Sequence, residues 1–299
     1  MTQLSYTLLE DRGFIAVTGA DTRAFLQGLI SNDVDKVTPD QAAHAAFLTP
    51  QGKYLHDFFV IDTVNGLLLE GEAARLDDLL RRLRMYKLRA DVDLKDVSGD
   101  WVAMALFGSG VAAALDLNDA PGCATSIANG VVYMDPRLSA VGGRAALKRN
   151  GAGTTLEDLG FAAAEGDEYD TLRISLGLPN GSADLTVDKA VLLENGFEEL
   201  NGVDFDKGCF LGQEVTARTK YRGLVKKRLM PVAIDGEAPP AGTPVLLGDE
   251  EAGEMRSSRP GVGLALMRLA AVEKAAEGDD VFTAGDARLT PRKPDWAAF

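Results

Sequence analysis

The spacing of turn residues changes near residue 226, and this change limits the fold of the chain more than any other feature. Beyond Arg228, short apolar runs are separated by Gly, Pro and Asp, and 269–277 alone has a helical pattern. The runs that we read as strands are 229–234, 243–247, 253–257, 263–267 and 281–282. Short strands at this spacing are typical of small closed or sandwiched β structures. We therefore predict an all-β barrel or sandwich at 226–299.

The preceding part of the chain mixes hairpins with amphipathic helices. Asn65-Gly66 separates two apolar runs, at 54–62 and 67–70, which predicts a tight antiparallel hairpin. Leucines at helical spacing predict a helix over 73–86. Strands and helices do not alternate regularly, so the pattern favours an α+β fold over one with parallel βαβ units. With 299 residues, the chain is long enough for more than one domain.

Composition excludes several classes of function. A net charge of −14 argues against direct nucleic-acid binding, because phosphate backbones attract basic surfaces. The longest uncharged run, 101–115, is too short to cross a bilayer, so no membrane contact is expected. The first six residues lack a basic flank and an apolar signal core. Together with two unpaired cysteines, this start leads us to expect a cytoplasmic protein.

The basic residues are concentrated in two short windows. The first window holds Arg81, Arg82, Arg84, Lys87 and Arg89. The second holds Arg218, Lys220, Arg222, Lys226, Lys227 and Arg228. In an acidic chain, such windows predict a local site for an anionic small molecule or an acidic tail. Either window taken alone is also typical of a solvated helix face balanced by acidic neighbours.

A polar stretch at 206–223 carries the strongest chemical signal. Gly208 and Gly212 flank Cys209 and allow backbone conformations that larger residues resist. A helix is predicted over 213–222, with Glu214 and Arg218 one turn apart, and it would end at the glycine that follows. A cysteine just before a helix and close to a lysine is expected to favour the reactive thiolate. The alternative is a buried free cysteine in an ordinary loop-to-helix turn.

Metal binding is limited by the supply of ligands. Cys123 and Cys209 are the only cysteines, and His44 and His56 are the only histidines. Two cysteines cannot form a metal site without further ligands, and a histidine-rich cage is excluded. We therefore expect no permanently bound metal.

One continuous motif links the chain to a known family. The motif reads Lys207-Gly208-Cys209-Phe210-Leu211-Gly212-Gln213-Glu214, followed by Arg218 and Tyr221-Arg222-Gly223. It resembles the signature of the YgfZ branch of the YgfZ/GcvT family, which are folate-binding relatives of the glycine cleavage system T-protein. Weaker similarities lie at 27–34, 47–53, 86–89, 173–179, 255–258 and 263–268.

The resemblance implies an architecture and a role. It implies a GcvT-like three-lobed ring, with two interleaved α+β folate-binding lobes at 1–225 and a small β-barrel at 226–299. The implied ligand is tetrahydrofolate, commonly with a polyglutamate tail. The implied role is the assembly or maintenance of [4Fe–4S] proteins, including tRNA-modifying enzymes. Folate, iron–sulfur client proteins and cluster-assembly proteins are the implied partners.

The resemblance also assigns candidate site residues. Cys209 is the expected functional thiol, and Asp57 aligns loosely with the carboxylate that T-proteins place near the reacting nitrogen. The expected folate-binding residues are Lys207, Gly208, Phe210, Gln213, Glu214, Arg218, Arg222, Tyr86, Lys87 and Arg89. One cysteine cannot hold a [4Fe–4S] cluster alone, because such clusters usually take four thiolates. Any ligation by Cys209 would be shared with a partner or a small molecule.

Each assignment has a structural alternative. Tyr86 and Phe210 are residue types that more often belong to a core, and the alternative role of Glu214 is that of a partner for Arg218. The alternative for Asp57 is a residue that ends a buried strand face. Two further functions stay open: a folate-dependent aminomethyl- or methyltransferase of T-protein type, and an interaction scaffold that no longer binds a ligand. The sequence therefore does not decide whether the chain is an enzyme.

Overall fold

The computed structural model describes residues 3–278 and 281–299. The chain forms two compact units. The first comprises Met1–Leu48, Leu55–Tyr169 and Leu200–Leu211, and the second comprises Thr49–Tyr54, Asp170–Glu199 and Gly212–Phe299. Within the described residues, no helix has both the length and the apolar composition needed to cross a membrane.

Strands and helices alternate irregularly along the chain. The strands are β1 Ser5–Leu8, β2 Arg12–Thr18, β3 Ala43–Leu48, β4 Tyr54–Thr63, β5 Gly66–Glu72, β6 Asp93–Asp96, β7 Trp101–Phe107, β8 Ala124–Ile127, β9 Gly130–Met134, β10 Gly143–Lys148, β11 Ala162–Ala163, β12 Lys227–Asp235, β13 Pro244–Leu247, β14 Glu250–Arg259, β15 Val262–Arg268, β16 Phe282–Ala284 and β17 Ala287–Pro291. The α-helices are α1 Thr22–Gln27, α2 Leu76–Lys87, α3 Val111–Ala114, α4 Ala152–Asp158, α5 Gly166–Ser175, α6 Gly181–Asp184, α7 Gln213–Tyr221 and α8 Leu269–Ala276. This mixture confirms the predicted α+β class.

The first unit contains two sheets. One has the strand order β11-β1-β7-β10-β9-β8, and the other has the order β3-β4-β5-β2-β6. In the second of these sheets, Thr63 of β4 pairs with Gly66 of β5, so the tight hairpin predicted at Asn65-Gly66 is confirmed. Helix α2 begins at Leu76 after a 3-10 turn at Ala73–Arg75, three residues later than predicted.

One core of the first unit lies between its two sheets. Phe14, Phe59 and Leu68 of the five-stranded sheet pack against Val131 and Tyr133 of the six-stranded sheet. Because strand residues alternate between faces, each sheet can bury one face here and cover the other with helices. On its other face, the six-stranded sheet packs against α3 and α4.

The second unit contains a closed six-stranded barrel of order β12-β15-β14-β13-β16-β17. Its interior is filled by side chains such as Met230, Val232, Met255 and Met267, all nearly inaccessible to solvent. The predicted barrel is therefore confirmed. The strand β17 was not predicted, because its sequence Ala-Arg-Leu-Thr-Pro carries a charge and a terminal proline.

A buried histidine joins helix α2 to strand β4 in the first unit. Nε2 of His56 lies 3.0 Å from Oδ2 of Asp78, which also accepts from Arg82 at 2.6 Å. Burial, with a smaller contribution from Arg75, lowers the pKa of His56 to about 4. Burial alone would raise the pKa of Asp78, but hydrogen bonds from Arg82, Arg81 and His56 lower it strongly.

Acidification should therefore destabilise the first unit. The unfolded histidine takes up its proton near pH 6.5, whereas folded His56 resists protonation down to about pH 4. The contribution of His56 to the free energy of unfolding is therefore fully present above pH 6.5. It is lost as the pH drops toward 4, and the loss amounts to up to about 3 kcal/mol. Urea unfolding at pH 7 and pH 4.5 measures this loss. His56→Gln keeps a hydrogen-bond donor for Asp78 but does not titrate, so this variant should lose less stability between the two pH values than the wild type does. Equal losses of stability in the two proteins would contradict the assignment of the effect to His56.

Candidate functional site

Lys207, the first residue of the motif, anchors the motif to the end of helix α1. Its Nζ donates hydrogen bonds to the backbone oxygens of Gln27, Ile30 and Asn32 at 2.8, 2.7 and 2.7 Å. The last carbonyls of a helix lack partners within the helix, and a lysine ammonium has three donors in tetrahedral array. All three donors of Lys207 are therefore used by backbone groups of the first unit.

Two opposing effects set the charge of Lys207. Burial lowers its pKa to about 8, and the carboxylates of Asp33, Asp204 and Asp35 oppose this effect. With a pKa near 8, Lys207 remains mainly protonated at neutral pH, which matches its three acceptors. The role predicted for Lys207 in folate binding stays a prediction, and the observed geometry gives it a structural role.

The residues after Lys207 hold Cys209 at the surface. Gly208 has a φ of +93°, a conformation that favours glycine. Phe210 is buried, with its ring centroid 5.4 Å from Nζ of Lys207, and the amide of Leu211 donates to the oxygen of Gly28 at 3.1 Å. Cys209 lies between these two fixed points and is exposed. The alternative of a buried free cysteine is therefore wrong.

Helix α7 continues the motif in the second unit. It begins after Gly212, which has a φ of +83°, and the chain leaves it at Gly223, which has a φ of +58°. The predicted helix is confirmed, one residue shorter at its end. Glu214 and Arg218 form an exposed ion pair of 2.6 Å, as their spacing predicted. Such exposed pairs contribute little to stability.

The turn at residues 49–54 packs on the start of α7. A Cβ placed on Gly52 would lie 2.8 Å from the oxygen of Gly212 and 2.9 Å from Cβ of Val215. Only glycine fits such a close backbone approach. This contact explains why a Gly occurs at that point of the segment 47–53, whose sequence resembles the family.

The second basic window lies in the same unit and is partly neutralised. Lys220 pairs with Glu198 at 2.6 Å, and Arg228 donates to the oxygen of Leu193 and pairs with Glu199. Arg222 ends the helix and is exposed. Gln213 is half-buried at the first position of the helix.

The first basic window lies on α2 of the first unit. Arg81 and Arg82 both pair with Asp78. Tyr86 packs edge-on against Phe47, with ring centroids 6.0 Å apart, and keeps 37% of its surface exposed. Lys87 and Arg89 follow at the end of the helix, half-buried and exposed respectively.

Asp57 lies in strand β4 and is 6% exposed. Its Oδ2 lies 3.1 Å from Nε2 of His44 in the neighbouring strand β3. Burial lowers the pKa of His44, so the imidazole is neutral and can donate a single proton to this carboxylate. A catalytic role for Asp57 stays a prediction; the geometry shows a buried hydrogen-bonded pair.

The same core holds a buried ionic network that the sequence patterns did not single out. Glu70 accepts from Arg12 at 3.2 Å, from Tyr133 at 2.8 Å and from Arg144. Asp135 is held by Arg137 at 2.8 Å. Burial alone would raise the pKa of Glu70, but Arg144 and Arg12 outweigh it and hold that pKa below its usual value. The sequence did carry one signal for this network, because Glu70 follows three leucines within strand β5.

A half-buried carboxyl in the second unit was also not singled out. Burial raises the pKa of Glu194, although Lys227, Lys53 and Arg228 oppose the shift. Glu194 lies in a 3-10 turn at Leu192–Asn195. An acid with a raised pKa among cations is a candidate binding group.

The described side chains differ in what they offer to a metal ion and to an anionic ligand. Among residues 3–278 and 281–299, no three His, Cys, Asp or Glu side chains are grouped so as to hold a metal ion. Each unit offers an exposed tyrosine beside cations: Tyr86 with Lys87 and Arg89, and Tyr221 with Arg222. Aromatic faces and arginines are side-chain types that suit a flat ring and a carboxylate tail.

Two family models match the chain. The model described as "CAF17, C-terminal beta-barrel domain" matches residues 226–299, and the "GCVT N-terminal domain" model matches residues 10–120. The solved aminomethyltransferase T of the glycine cleavage system from Bartonella henselae superposes with a TM-score of 0.77. The match covers 99% of this chain and 86% of that one at 15% identity, so it establishes a shared fold.

Curated relatives carry a consistent name. The Homo sapiens protein "Iron-sulfur cluster assembly factor IBA57, mitochondrial" is 30% identical, and the match covers 96% of this chain and 84% of the human one. The Mycosarcoma maydis homologue of the same factor is 35% identical over 77% of this chain. This chain spans 58% of the length of that fungal relative, and 55% of the Neurospora crassa one.

These names correct one expectation. The relatives are named as mitochondrial proteins, which contradicts the cytoplasmic location predicted from composition. The barrel model, the N-terminal model, the shared fold and the human relative agree with one another. The chain belongs to the GcvT-like family with a CAF17-type C-terminal barrel, which includes the iron–sulfur cluster assembly factor IBA57.

Proposed function

We propose that this chain assists the assembly or maintenance of [4Fe–4S] proteins, binds tetrahydrofolate, and acts through the thiol of Cys209. The proposal places it in the YgfZ branch of its family and includes tRNA-modifying enzymes among its clients. The observation that carries it is the exposure of Cys209 on a segment fixed by Lys207 on one side and Leu211 on the other. Relatives named as iron–sulfur assembly factors support the same role.

The cluster is the cargo of this protein and not a resident group. Cys209 supplies one sulfur, and binding of iron requires loss of the thiol proton. A [4Fe–4S] cluster usually takes four thiolates, so a client, a carrier protein or a small thiol completes the set. Backbone anchoring on both sides of Cys209 keeps its position fixed while a partner approaches.

Tetrahydrofolate, when bound, supplies one-carbon chemistry or a stabilising contact. Tyr86 offers an aromatic edge for the ring, and Lys87 and Arg89 offer charges for the glutamate tail. The second unit has its own candidate residues, considered separately: the cations Arg218 and Arg222, with Gln213 and Glu214 on helix α7. Arginine can hold a carboxylate with two parallel hydrogen bonds.

Ligand binding can be tested by thermal unfolding. Tetrahydrofolate at about 100 times its dissociation constant is expected to stabilise the chain by about 3 kcal/mol. The triglutamyl form should bind more tightly than the monoglutamyl form, and raising the salt concentration should narrow the difference because it screens the tail. Arg222→Leu should reduce the preference for the triglutamyl form. The control is Arg288→Leu, at an exposed position of β17, which should leave that preference unchanged. Equal affinity for both forms at low salt would remove the tail assignment.

A folate-dependent one-carbon transferase is the second candidate, favoured by the pairing of Asp57 with His44. A neutral imidazole that donates to the carboxylate would hold Asp57 in one orientation, as a group that acts on a reacting amine requires. Transfer assays with candidate amine donors separate the two functions. Activity that survives Cys209→Ala and is lost in Asp57→Asn would favour the transferase and remove the assembly role of the thiol.

A further inference from the structure

Leucine occupies a turn position that favours glycine at the end of helix α2. Leu88 has a φ of 45° and a ψ of −107°, and the amide of Ala90 donates to the oxygen of Lys87 at 2.8 Å. These values define a type II′ turn with Leu88 at its second position, where glycine is normally found. A leucine with positive φ costs conformational energy that glycine would not.

Neighbouring residues hold this turn in place. Tyr86 packs on Phe47 just before it, and the amide of Asp91 donates to Oδ2 of Asp21 at 2.8 Å just after it. The oxygen of Asp91 in turn accepts from the amide of Asp21 at 3.1 Å. Strained backbone persists where surrounding contacts determine it, and such strain is concentrated at functional sites.

The leucine side chain contributes almost nothing to the core. Leu88 is 89% exposed, and Met85, on the last turn of the same helix, is 56% exposed. A glycine at position 88 would relieve strain and lose no internal packing. An exposed leucine in a strained conformation that glycine would adopt without strain is therefore better explained by a contact outside the chain.

The charges around this surface define its partner. Arg84, Lys87 and Arg89 flank Met85 and Leu88, whereas the chain as a whole has a net charge of −14. Acidic residues reappear only beyond the turn, at Asp91 and Asp93. A basic rim around an apolar centre complements an acidic rim around an apolar pocket.

We propose that Met85 and Leu88, with the cations beside them in the sequence, form the docking surface for the enzyme that receives the cluster, through an apolar pocket edged by Asp and Glu on that enzyme. The proposal rests on the proposed assembly function, because its occupant is a client of that function. Leu88 is the central anchor, and the cations set the orientation and the rate of encounter. Cys209 takes no part in this contact. Lys87 and Arg89 are also the cations proposed for the folate tail, so the side chain that distinguishes this surface is that of Leu88.

Leu88→Gly separates docking from folding. The variant should keep or raise the urea midpoint of the wild-type chain, because it removes strain. In cells that lack their own copy of the protein, it should restore several-fold less activity of a [4Fe–4S] enzyme. Binding of that enzyme's purified cluster-free form should weaken about tenfold, as expected for an interface anchor. Binding by the wild-type chain should also weaken as salt rises.

Val64→Gly is the matched control, because Val64 is 98% exposed at the tip of the β4–β5 turn in the same unit. It should retain activity and binding. If Leu88→Gly restores normal [4Fe–4S] enzyme activity while Cys209→Ser does not, the docking proposal is overturned and the assembly function is left in place. Failure of the wild-type chain to restore activity would remove the assembly function itself.

Two other occupants give distinct results. If the wild-type chain sediments as a dimer and Leu88→Gly as a monomer, with unchanged enzyme binding, the surface is a contact between two copies of this chain. Weaker binding of triglutamyl tetrahydrofolate by Leu88→Gly, again with unchanged enzyme binding, would assign the surface to the folate tail. Either result overturns the proposal.

Discussion

Cys209→Ser is expected to reduce the [4Fe–4S] enzyme activity that the chain restores in deficient cells by about tenfold or more, because a hydroxyl cannot replace a thiolate as an iron ligand or nucleophile. Cys209 is exposed, and its segment is fixed by backbone and lysine contacts that do not involve the sulfur. The substitution should therefore leave the free energy of unfolding within about 0.5 kcal/mol of the wild-type value. Enzyme activity in extracts, normalised to the amount of enzyme protein, measures the effect.

Cys123→Ser provides the matched control. Cys123 is the other cysteine and is only partly exposed, in the first unit. Its replacement should retain enzyme activity, so that a loss specific to position 209 identifies that sulfur as the functional one. Full restoration by Cys209→Ser would remove the thiol from the mechanism and favour a role carried by the fold and its ligand alone.

The local pattern of the sequence was sufficient to predict the elements that are stabilised locally. The hairpin at Asn65-Gly66, helix α7 and the barrel strands β12 to β16 have turn residues or helical spacing that act within a few positions. Strand β11 shows the opposite case. Its two residues pair in parallel with β1, more than 150 positions earlier in the chain, and no local pattern encodes such a pairing.

The candidate site shows the same division. The motif predicted the helix that follows Cys209, because a helix depends on adjacent residues, but it left open whether the cysteine is exposed or buried, and the structure shows it exposed. The acceptors of Lys207 could not be predicted, since they lie 175 to 180 positions away. Similarly, the partners of Glu70 come from β2, β9 and β10, and only the folded core shows that its charge is compensated. Buried charges are stable only when such partners are in place.

Lys207→Met is expected to lower the free energy of unfolding by about 2–4 kcal/mol, because three carbonyl oxygens lose a charged donor and are left half-buried. Methionine preserves the length and the apolar stem of the side chain, so packing beside Phe210 changes little. Lys207→Arg should also destabilise the chain, since a planar guanidinium cannot direct three donors at convergent oxygens. Urea unfolding monitored by circular dichroism measures both variants.

Lys95→Met, at an exposed position of strand β6, removes the same charge and should change stability by less than about 0.5 kcal/mol. The comparison separates the anchoring role of Lys207 from the ligand role that the family resemblance implies. An anchor predicts that stability falls first and that tetrahydrofolate affinity falls only as the fold loosens. A ligand predicts unchanged unfolding with lost affinity, and that outcome would show that the three backbone bonds are incidental. Because every donor of the ammonium already has an acceptor, a folate carboxylate could reach it only by displacing a helix-end carbonyl, and we therefore expect the anchor.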